Sequence, residues 1–198
     1  MNKEDIKEGY TRVSDFCARY ESFDAVDKEY LKHRQDIGIN VHQAIECTLN
    51  FIPFTLMEEA KPYYESWFKW YDKCHPEIIH TEKRLYCDKF MLTGAVDGIM
   101  SYQWHKDLCI CDWKCTSWAN LDMWTLKGTF YHHLVKSNNL CKISDRFFYV
   151  QLDKEGGYPK IHELETNQKW RSLMVATIMS KQFEDKQKGR RFTKNEQN

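Results

Sequence analysis

Two acidic residues and a lysine lie close together in an otherwise apolar part of the sequence. Asp97 falls within residues 93–102, and Asp112 and Lys114 fall within residues 108–117. Apolar residues dominate both segments, whereas residues 103–107 between them are polar, so the pattern predicts two strands joined by a short turn. Side chains alternate along a strand, which puts Asp112 and Lys114 on the same face.

The spacing of the two acids predicts that they share a cation. Asp97 and Asp112 are equidistant from Trp104–His105, so a hairpin folded about that pair places them opposite each other. Opposed Cβ atoms lie about 5 Å apart, and two carboxylates at that separation can hold one hard cation at oxygen distances of about 2.1 Å. The ammonium of Lys114 would then lie beside the cation.

A third carboxylate and a histidine are candidates for the same group. Glu82 lies about as far before a predicted turn at Asp88–Lys89 as Asp97 lies after it, so three carboxylates could line up on adjacent strands. The alternative is that Glu82 is an exposed strand residue paired with a neighbouring basic residue. His42 and Glu46 are four residues apart and share one face of a predicted helix. The local sequence alone favours a solvated helix edge for these two.

These residues need a scaffold of helices around a small sheet. Helices are predicted from about residue 24 to 34, over 36–46, from 62 to about 72, from 118 to about 136 and over 167–186, and strands at 78–87, in both hairpin arms, at 146–152 and at 160–164. This order predicts an α+β fold, an α/β sandwich in which helices flank a central mixed sheet. We expect one domain over residues 1–198, with a mobile basic tail from about residue 187.

Composition restricts the class of protein. A chain of 198 residues with 42% hydrophobic and 15% aromatic content can bury the core of one domain. Its 29 basic and 29 acidic residues balance, which argues against binding to nucleic acid by bulk charge alone but leaves room for a local basic groove. The first residues lack a signal-peptide pattern, and no apolar run approaches the roughly 18 residues of a membrane span. We therefore expect a cytoplasmic protein with no membrane partner.

The eight cysteines raise the alternatives of disulfides and bound metal. Without a secretion signal, reduced thiols are expected. Cys109 and Cys111 fall on the face opposite Asp112 and Lys114, where they would fill the core. No CxxC pair occurs, so the spacing matches no standard zinc module, and zinc or an iron–sulfur cluster is the minor alternative.

Five elements occur in an order that resembles a known family. The early helix carries Gly38-x-x-x-His42-x-x-x-Glu46, Glu82 precedes the hairpin, residues 94–98 read GAVDG, residues 112–117 read DWKCTS, and residues 127–131 read KGTFY. Each element alone is weak, but together they span most of the chain. They are similar to the GxxxHxxxE, acidic, GxxD, DxKTS and QxxxY elements of PD-(D/E)XK nucleases of the RecB and lambda-exonuclease type. The resemblance implies a restriction-endonuclease-like core.

The chain departs from the family pattern at three places. Lys127 replaces the usual glutamine, and Cys115 stands where threonine is common, in a position predicted to face the other side of the sheet. The iron–sulfur members of the family carry three cysteines near the carboxyl terminus, whereas no cysteine follows Cys141 here. No iron–sulfur cluster is therefore expected.

The resemblance implies a Mg²⁺ or Mn²⁺ site with named ligands. Asp97, Asp112 and the backbone carbonyl of Trp113 would hold the metal, with His42 as a further ligand and Glu82 as a direct or water-mediated one. Lys114 would orient the attacking water and stabilise developing charge. The candidates for contacting the substrate are Tyr131, Lys127, Arg12 and Glu46.

The resemblance also implies DNA as the partner and phosphodiester hydrolysis as the activity. No motif for reading base edges is visible, which favours an exonuclease in DNA recombination, repair or processing over a restriction enzyme. A sequence-nonspecific or structure-specific endonuclease of the same fold is the alternative. A non-catalytic nucleic-acid-binding module is a third, disfavoured by the intact acids and lysine. Small phage recombination exonucleases act with a single-strand annealing protein and can form rings, so such a partner, a homo-oligomer and a bacterial or phage-infected cell are further expectations.

Overall fold

A mixed β-sheet with helices on both faces forms the centre of the protein. The computed structural model describes residues 6–21, 26–101 and 107–195, with side chains through residue 187. The strands are β1 (Thr11–Arg12), β2 (Glu77–Cys87), β3 (Leu92–Ser101), β4 (Leu108–Lys114), β5 (Ile143–Gln151) and β6 (Lys160–Glu165). The α-helices are α1 (Val13–Cys17), α2 (Lys28–Leu49), α3 (Lys61–Cys74), α4 (Leu121–Ser137) and α5 (Gln168–Asn195). The predicted α+β class is confirmed.

The strand pairing combines parallel and antiparallel neighbours. Strands β2 and β4 are antiparallel to β3, β5 is parallel to β4, and β6 is antiparallel to β5. The short β1 runs parallel to the first two residues of β3. A strand has only two edges, so β1 and β4 share the edge of β3 that β2 does not occupy. The carboxyl ends of the parallel pair β4 and β5 therefore meet at one end of the sheet.

Each face of the sheet has its own hydrophobic core. Helices α1, α4 and α5 cover one face, where buried residues such as Phe130 and Leu134 of α4 meet the strands. Helices α2 and α3 cover the other face. Trp67 and Trp70, three residues apart on α3, are fully buried there against the ring of Trp113.

The two helices predicted over residues 24–34 and 36–46 are one continuous helix, so the prediction of a break between them is wrong. Asp27 begins α2, since its side chain accepts a hydrogen bond from Tyr30 N at 2.8 Å. Gly38 lies inside α2 and does not end it, because one glycine destabilises a helix interior by only about 1 kcal/mol and no proline follows. A methyl group at Gly38 would meet no atom within 4 Å.

The register of the hairpin agrees with the prediction. Gly98 pairs with Cys111 and Ile99 with Ile110, and one further step in this register puts Asp97 opposite Asp112. The turn predicted around Trp104–His105 lies outside the described residues. The observed register is nevertheless the one that the equal distances of Asp97 and Asp112 from that turn predict.

Other boundaries differ modestly from those predicted. Asn120 begins α4 by accepting a hydrogen bond from Met123 N at 3.1 Å. The last helix, α5, continues beyond the predicted end at Lys186 to Asn195. The sequence patterns did not indicate β1 or α1. Within the described parts of the chain, no helix combines the length and the apolar character needed to cross a membrane.

Candidate active site

Side chains from α2, β2 and β3 meet at one point beside the sheet. His42 Nδ1 lies 3.3 Å from Glu82 Oε1 and 3.4 Å from Asp97 Oδ2. One ligand atom from each of the three residues can be chosen so that all lie within 4.8 Å of one another. His42 is 25% exposed and the two carboxylates are 14% and 12% exposed, so the cluster is partly shielded but open to solvent.

The backbone changes direction at this cluster. Leu92, Gly94 and Val96 of β3 face the core under α4, whereas Gly98 and Met100 face the core under α2 and α3. The alternation of side chains therefore reverses about Asp97. The register of β2 with β3 places Glu82 opposite Asp97, and Glu82 has a φ of 46°, in the left-handed region. Such strain for a side chain other than glycine is typical of functional sites, where it aims a group away from its regular direction.

The backbone of Trp113 fixes both His42 and Asp97. The Nε2 atom of His42 lies 2.9 Å from the carbonyl oxygen of Trp113, and Trp113 N donates a hydrogen bond to Asp97 Oδ2 at 3.1 Å. A carbonyl oxygen can only accept, so Nε2 carries a proton. The Nδ1 lone pair can then point at a cation, which is the arrangement that metal-binding histidines adopt. The Trp113 carbonyl thus orients His42. That this carbonyl also binds the metal directly stays a prediction.

Asp112 and Lys114 form an ion pair next to this cluster. The Asp112 side chain is 5% exposed and that of Lys114 is 23% exposed. The ammonium of Lys114 also lies 5.3 Å from the centre of the Tyr149 ring, a distance at which cation–π attraction operates. The lysine is therefore held in place by a carboxylate and an aromatic ring while part of it remains open to solvent.

Burial and the charges of neighbouring groups together shift the pKa values of the cluster. Burial and the nearby Asp112 carboxylate raise the pKa of Asp97 well above its ordinary value. Burial lowers the pKa of His42, but Asp97 and Glu82 outweigh it and raise that pKa to about 9. The pKa of Lys114 is lowered by burial but raised on balance by Asp112 and Asp97. The cluster thus favours an added positive charge, either a proton or a metal ion.

The donor set suits a hard divalent cation. His42, Glu82 and Asp97 supply one imidazole nitrogen and carboxylate oxygens, with no thiolate among them. Carboxylate-rich sites of this composition suit Mg²⁺ and Mn²⁺. The residues present therefore fit a divalent cation, and Asp112 would add a carboxylate from the neighbouring strand.

Two of the residues predicted to contact the substrate lie beside the site. Glu46 lies one helical turn after His42 on the same side of α2, and burial and the charge of Glu82 raise its pKa. Burial and the charges of Asp112 and Asp97 raise the pKa of Tyr131 well above its ordinary value. A methyl group at Gly94 would lie 2.9 Å from the Tyr131 ring, so the glycine is needed for the ring to pack there.

The two basic candidates have partners within the protein. Lys127 Nζ lies 2.9 Å from Glu21 Oε1, with both side chains mostly buried. Arg12 Nε lies 3.9 Å from Asp15 Oδ2. Contact of Lys127 or Arg12 with DNA therefore stays a prediction.

The cysteines of β4 lie where the sequence placed them. Cys109 and Cys111 are fully buried in the core under α2 and α3. Cys115 packs against the same core, on the side of the sheet away from Lys114, as its strand position predicts. All eight cysteines are free thiols.

Three residues near the site were not identified from the sequence. Strand β5 places Tyr149 beside Asp112 and Gln151 beside Lys114, and β6 places His162 next to Tyr149. The segment around 146–152 predicts a strand, but nothing local predicts which strand it joins. Their positions depend on the parallel pairing of β4 with β5, two strands that helix α4 separates along the chain.

Comparison with known proteins adds a structural likeness. No family model matches this chain, and no curated protein matches it. One solved structure that it resembles is a protein of Eubacterium rectale provisionally described as an exonuclease. The two chains are 12% identical, the match covers 90% of this chain and 82% of that one, and the TM-score is 0.48.

Proposed function

We propose that the protein is a metal-dependent nuclease that hydrolyses phosphodiester bonds in DNA. The observation that carries the proposal is the convergence of His42, Glu82 and Asp97 next to the buried Asp112–Lys114 pair. A cluster of hard ligands beside a fixed ammonium suits hydrolysis of a phosphate diester. Both the entering water and the negatively charged phosphate need positive charge close by.

The metal would be Mg²⁺ or Mn²⁺, held by His42, Glu82, Asp97 and Asp112. When bound, the cation supplies positive charge at the scissile phosphate and lowers the pKa of water. The protein contributes orientation: the Trp113 carbonyl fixes the tautomer of His42, and Trp113 N holds one oxygen of Asp97.

Lys114 would act on the reacting atoms themselves. Its ammonium can donate hydrogen bonds to the attacking water and to a phosphate oxygen, stabilising the negative charge that develops there. Asp112 and the ring of Tyr149 hold the ammonium in position before the substrate arrives. This preorganisation reduces the reorganisation needed during the reaction.

We further propose that the enzyme degrades DNA from its ends, as an exonuclease in recombination, repair or processing. The chain lacks a recognisable motif for reading bases, and its acidic and basic residues balance, so binding would depend on local contacts near the site. A single-strand annealing protein and a second copy of this chain are the partners to test. The alternative is an endonuclease of the same fold, and a comparison of linear with covalently closed DNA distinguishes the two activities.

The test is cleavage of labelled DNA by the purified protein. Linear duplex, linear single strands and covalently closed circles are each incubated in Mg²⁺, Mn²⁺ or a chelator, with and without a 5′ phosphate on the linear substrates. Cleavage of linear DNA in Mg²⁺ or Mn²⁺ and none in chelator is expected. Cleavage of closed circles at a similar rate would instead identify an endonuclease.

Variants connect this activity to the site. Asp112→Asn should abolish cleavage, whereas the matched control Asp185→Asn, which changes an exposed carboxylate paired with Lys181, should not. Undiminished cleavage by Asp112→Asn, or cleavage that persists in chelator, would overturn the proposal.

A further inference from the structure

A cleft opens at the end of the sheet beyond Lys114. Its volume is about 260 Å³, and it lies at the carboxyl ends of β4 and β5. Its lining includes Thr116, Ser117, Gln151, Asp153, Lys154, Tyr158 and Lys160. Ligands bind preferentially outside the carboxyl ends of parallel strands, because backbone groups and loops converge there.

Strand pairing places the cleft next to the candidate active site. Lys114 pairs with Gln151, and Gln151 pairs with Lys160 in the next strand. Paired residues project from the same face of a sheet, and neighbouring strands are about 4.8 Å apart. Lys114, Gln151 and Lys160 thus form a row about 10 Å long that leads from the site into the cleft.

The Gln151 side chain is fixed within this row. Its Nε2 donates to the carbonyl oxygen of Thr116 at 2.8 Å, and His162 Nε2 lies 3.0 Å from its Oε1. The amide therefore ties the segment after β4 to strands β5 and β6. These two hydrogen bonds hold the Gln151 amide in one orientation at the floor of the cleft.

Lysine side chains lie in the cleft and at its rim. Lys154 and Lys160 are both exposed. Lys154 Nζ lies 3.6 Å from Glu155 Oε1, but this pair is exposed on both sides, so solvent screens it and a phosphate can compete for the ammonium. Lys73 lies 4.9 Å from the ring of Tyr158 at the rim. The carboxylate of Asp153 is engaged by the turn that follows it, because it accepts hydrogen bonds from Glu155 N at 3.2 Å and Gly157 N at 3.0 Å. The lysines and nearby hydroxyl groups suit phosphate oxygens.

An exposed tryptophan stands next to the cleft. Trp118 is 80% exposed and follows the lining residues Thr116 and Ser117. Its backbone is held, since Trp118 N donates to Thr116 Oγ1 at 3.3 Å and Thr116 Oγ1 donates to Trp118 O at 3.1 Å. A large ring left in solvent on an anchored backbone is a surface on which a flat ligand can stack.

We propose that this cleft binds an unpaired segment of the DNA strand, with phosphates on Lys154 and Lys160 and a base stacked on Trp118. The combination of a basic groove with an exposed aromatic ring is the chemistry that holds single strands. A base within a duplex has both faces covered by its neighbours, so stacking on Trp118 requires an unpaired base. The inference rests on the proposed function for the identity of the ligand and deepens it by naming single-stranded DNA as the form bound beside the cleavage site.

Binding can be measured separately from cleavage. The probe is a fluorescein-labelled dT12 oligonucleotide, compared with a 12-base-pair duplex, in chelator so that no cleavage occurs, with anisotropy recorded over a range of salt concentrations. Trp118→Ala should weaken binding of the single strand about 10- to 100-fold, as loss of one base stack does. The double variant Lys154→Ala/Lys160→Ala should reduce the slope of log K against log salt by about 1.4, the value for two phosphate contacts on a single strand.

Matched controls make the result specific. Phe183→Ala removes another exposed ring, and Lys136→Ala/Lys142→Ala removes two other exposed ammonium groups. Both should bind dT12 as the unchanged protein does. If the cleft variants bind like the controls, or if the unchanged protein does not bind dT12, the cleft proposal is wrong.

The two proposals can fail independently. A protein that binds dT12 through Trp118 and the two lysines but cleaves no DNA in Mg²⁺ or Mn²⁺ retains the cleft and loses the nuclease assignment. A protein that cleaves DNA while its cleft variants bind and cleave at the unchanged rate retains the nuclease and loses the cleft.

Discussion

His42 Nε2 lies 2.9 Å from the carbonyl oxygen of Trp113, so the backbone of the strand that carries Asp112 and Lys114 also sets the orientation of the histidine. The other ring nitrogen faces Glu82 and Asp97 at 3.3 and 3.4 Å. One backbone position thus couples helix α2 to the acids of β2 and β3. The site depends on the docking of that helix on the sheet as much as on the acids.

Replacement of His42 should therefore weaken metal binding without unfolding the protein. We expect His42→Gln to reduce Mn²⁺ affinity by about 10- to 100-fold, because a ligand or its orientation is lost. Isothermal titration calorimetry measures the affinity. The control is His33→Gln, which changes an exposed histidine of the same helix near Glu59 and should leave the affinity unchanged. Equal affinities for the two variants would contradict the assignment.

Lys114 should act on catalysis and not on metal binding. We expect Lys114→Met to lower the rate of DNA cleavage by at least about 100-fold, because a positioned charge at the reacting phosphate is lost. Mn²⁺ should bind as tightly or more tightly, since a neighbouring positive charge is removed. Lys181→Met is the control, because Lys181 pairs with Asp185 on the exposed side of α5. A Lys114→Met protein that binds Mn²⁺ more weakly would place the lysine in a structural role instead.

The pairing of the two hairpin strands could be predicted from the sequence because the strands are neighbours along the chain. The distance of Asp97 and Asp112 from the intervening turn determines their register, and the observed pairing of Gly98 with Cys111 agrees with it. The position of Glu82 opposite Asp97 also follows from the distance of each residue to the turn between them, with an error of one residue in the register. The order of these residues along the chain was enough to predict the neighbourhood of the acids.

The remaining features depend on contacts that local sequence does not encode. The reversal of side-chain direction at Asp97 accompanies the left-handed backbone of Glu82, and a glutamate gives no local signal for that conformation. Tyr149 and Gln151 reach the site through a parallel pairing across helix α4. The salt bridge from Lys127 to Glu21 joins residues 106 positions apart, so neither residue alone predicts it.

Metal binding should strengthen as the pH rises from 7 to 9. Asp97 and Glu82 raise the pKa of His42 to about 9 against the effect of burial, so in this range a proton on the imidazole competes with the cation. Deprotonation removes that competition, and the affinity should increase up to about tenfold per pH unit. Calorimetry in buffers of different ionisation enthalpy detects the released proton. A constant affinity, or the same pH dependence in His42→Gln, would show that His42 is not involved.

Two glycines should respond oppositely to alanine. A methyl group at Gly128 would lie 2.5 Å from the ring of Phe147, whereas one at Gly38 would meet no atom within 4 Å. We expect Gly128→Ala to lower the free energy of unfolding by about 1–3 kcal/mol through overpacking. Gly38→Ala should raise it by about 0.5–1 kcal/mol, because alanine restricts the unfolded chain and favours the helix. Urea unfolding measures both values, and a destabilised Gly38→Ala protein would contradict the open space next to α2.

His132 should lower the free energy of unfolding when the solution is acidified. The residue is 3% exposed, and burial, with the charge of Lys136, lowers its pKa to about 4 despite the opposing Asp145. The unfolded chain binds a proton on this histidine below its ordinary pKa near 6.5, whereas the folded protein does so only near 4. The stabilisation is therefore complete above about pH 6.5 and is lost as the pH falls from there towards 4.

The expected loss between pH 7 and pH 4.5 is roughly 2–3 kcal/mol from this group, since one pKa unit corresponds to about 1.4 kcal/mol. Acidic side chains also titrate in this range, so the measurement is the difference in unfolding free energy between the unchanged protein and His132→Gln at each pH. This difference should move in favour of the variant as the solution is acidified, because glutamine takes up no proton. A difference that stays constant from pH 7 to 4.5 would show that burial does not hold His132 neutral.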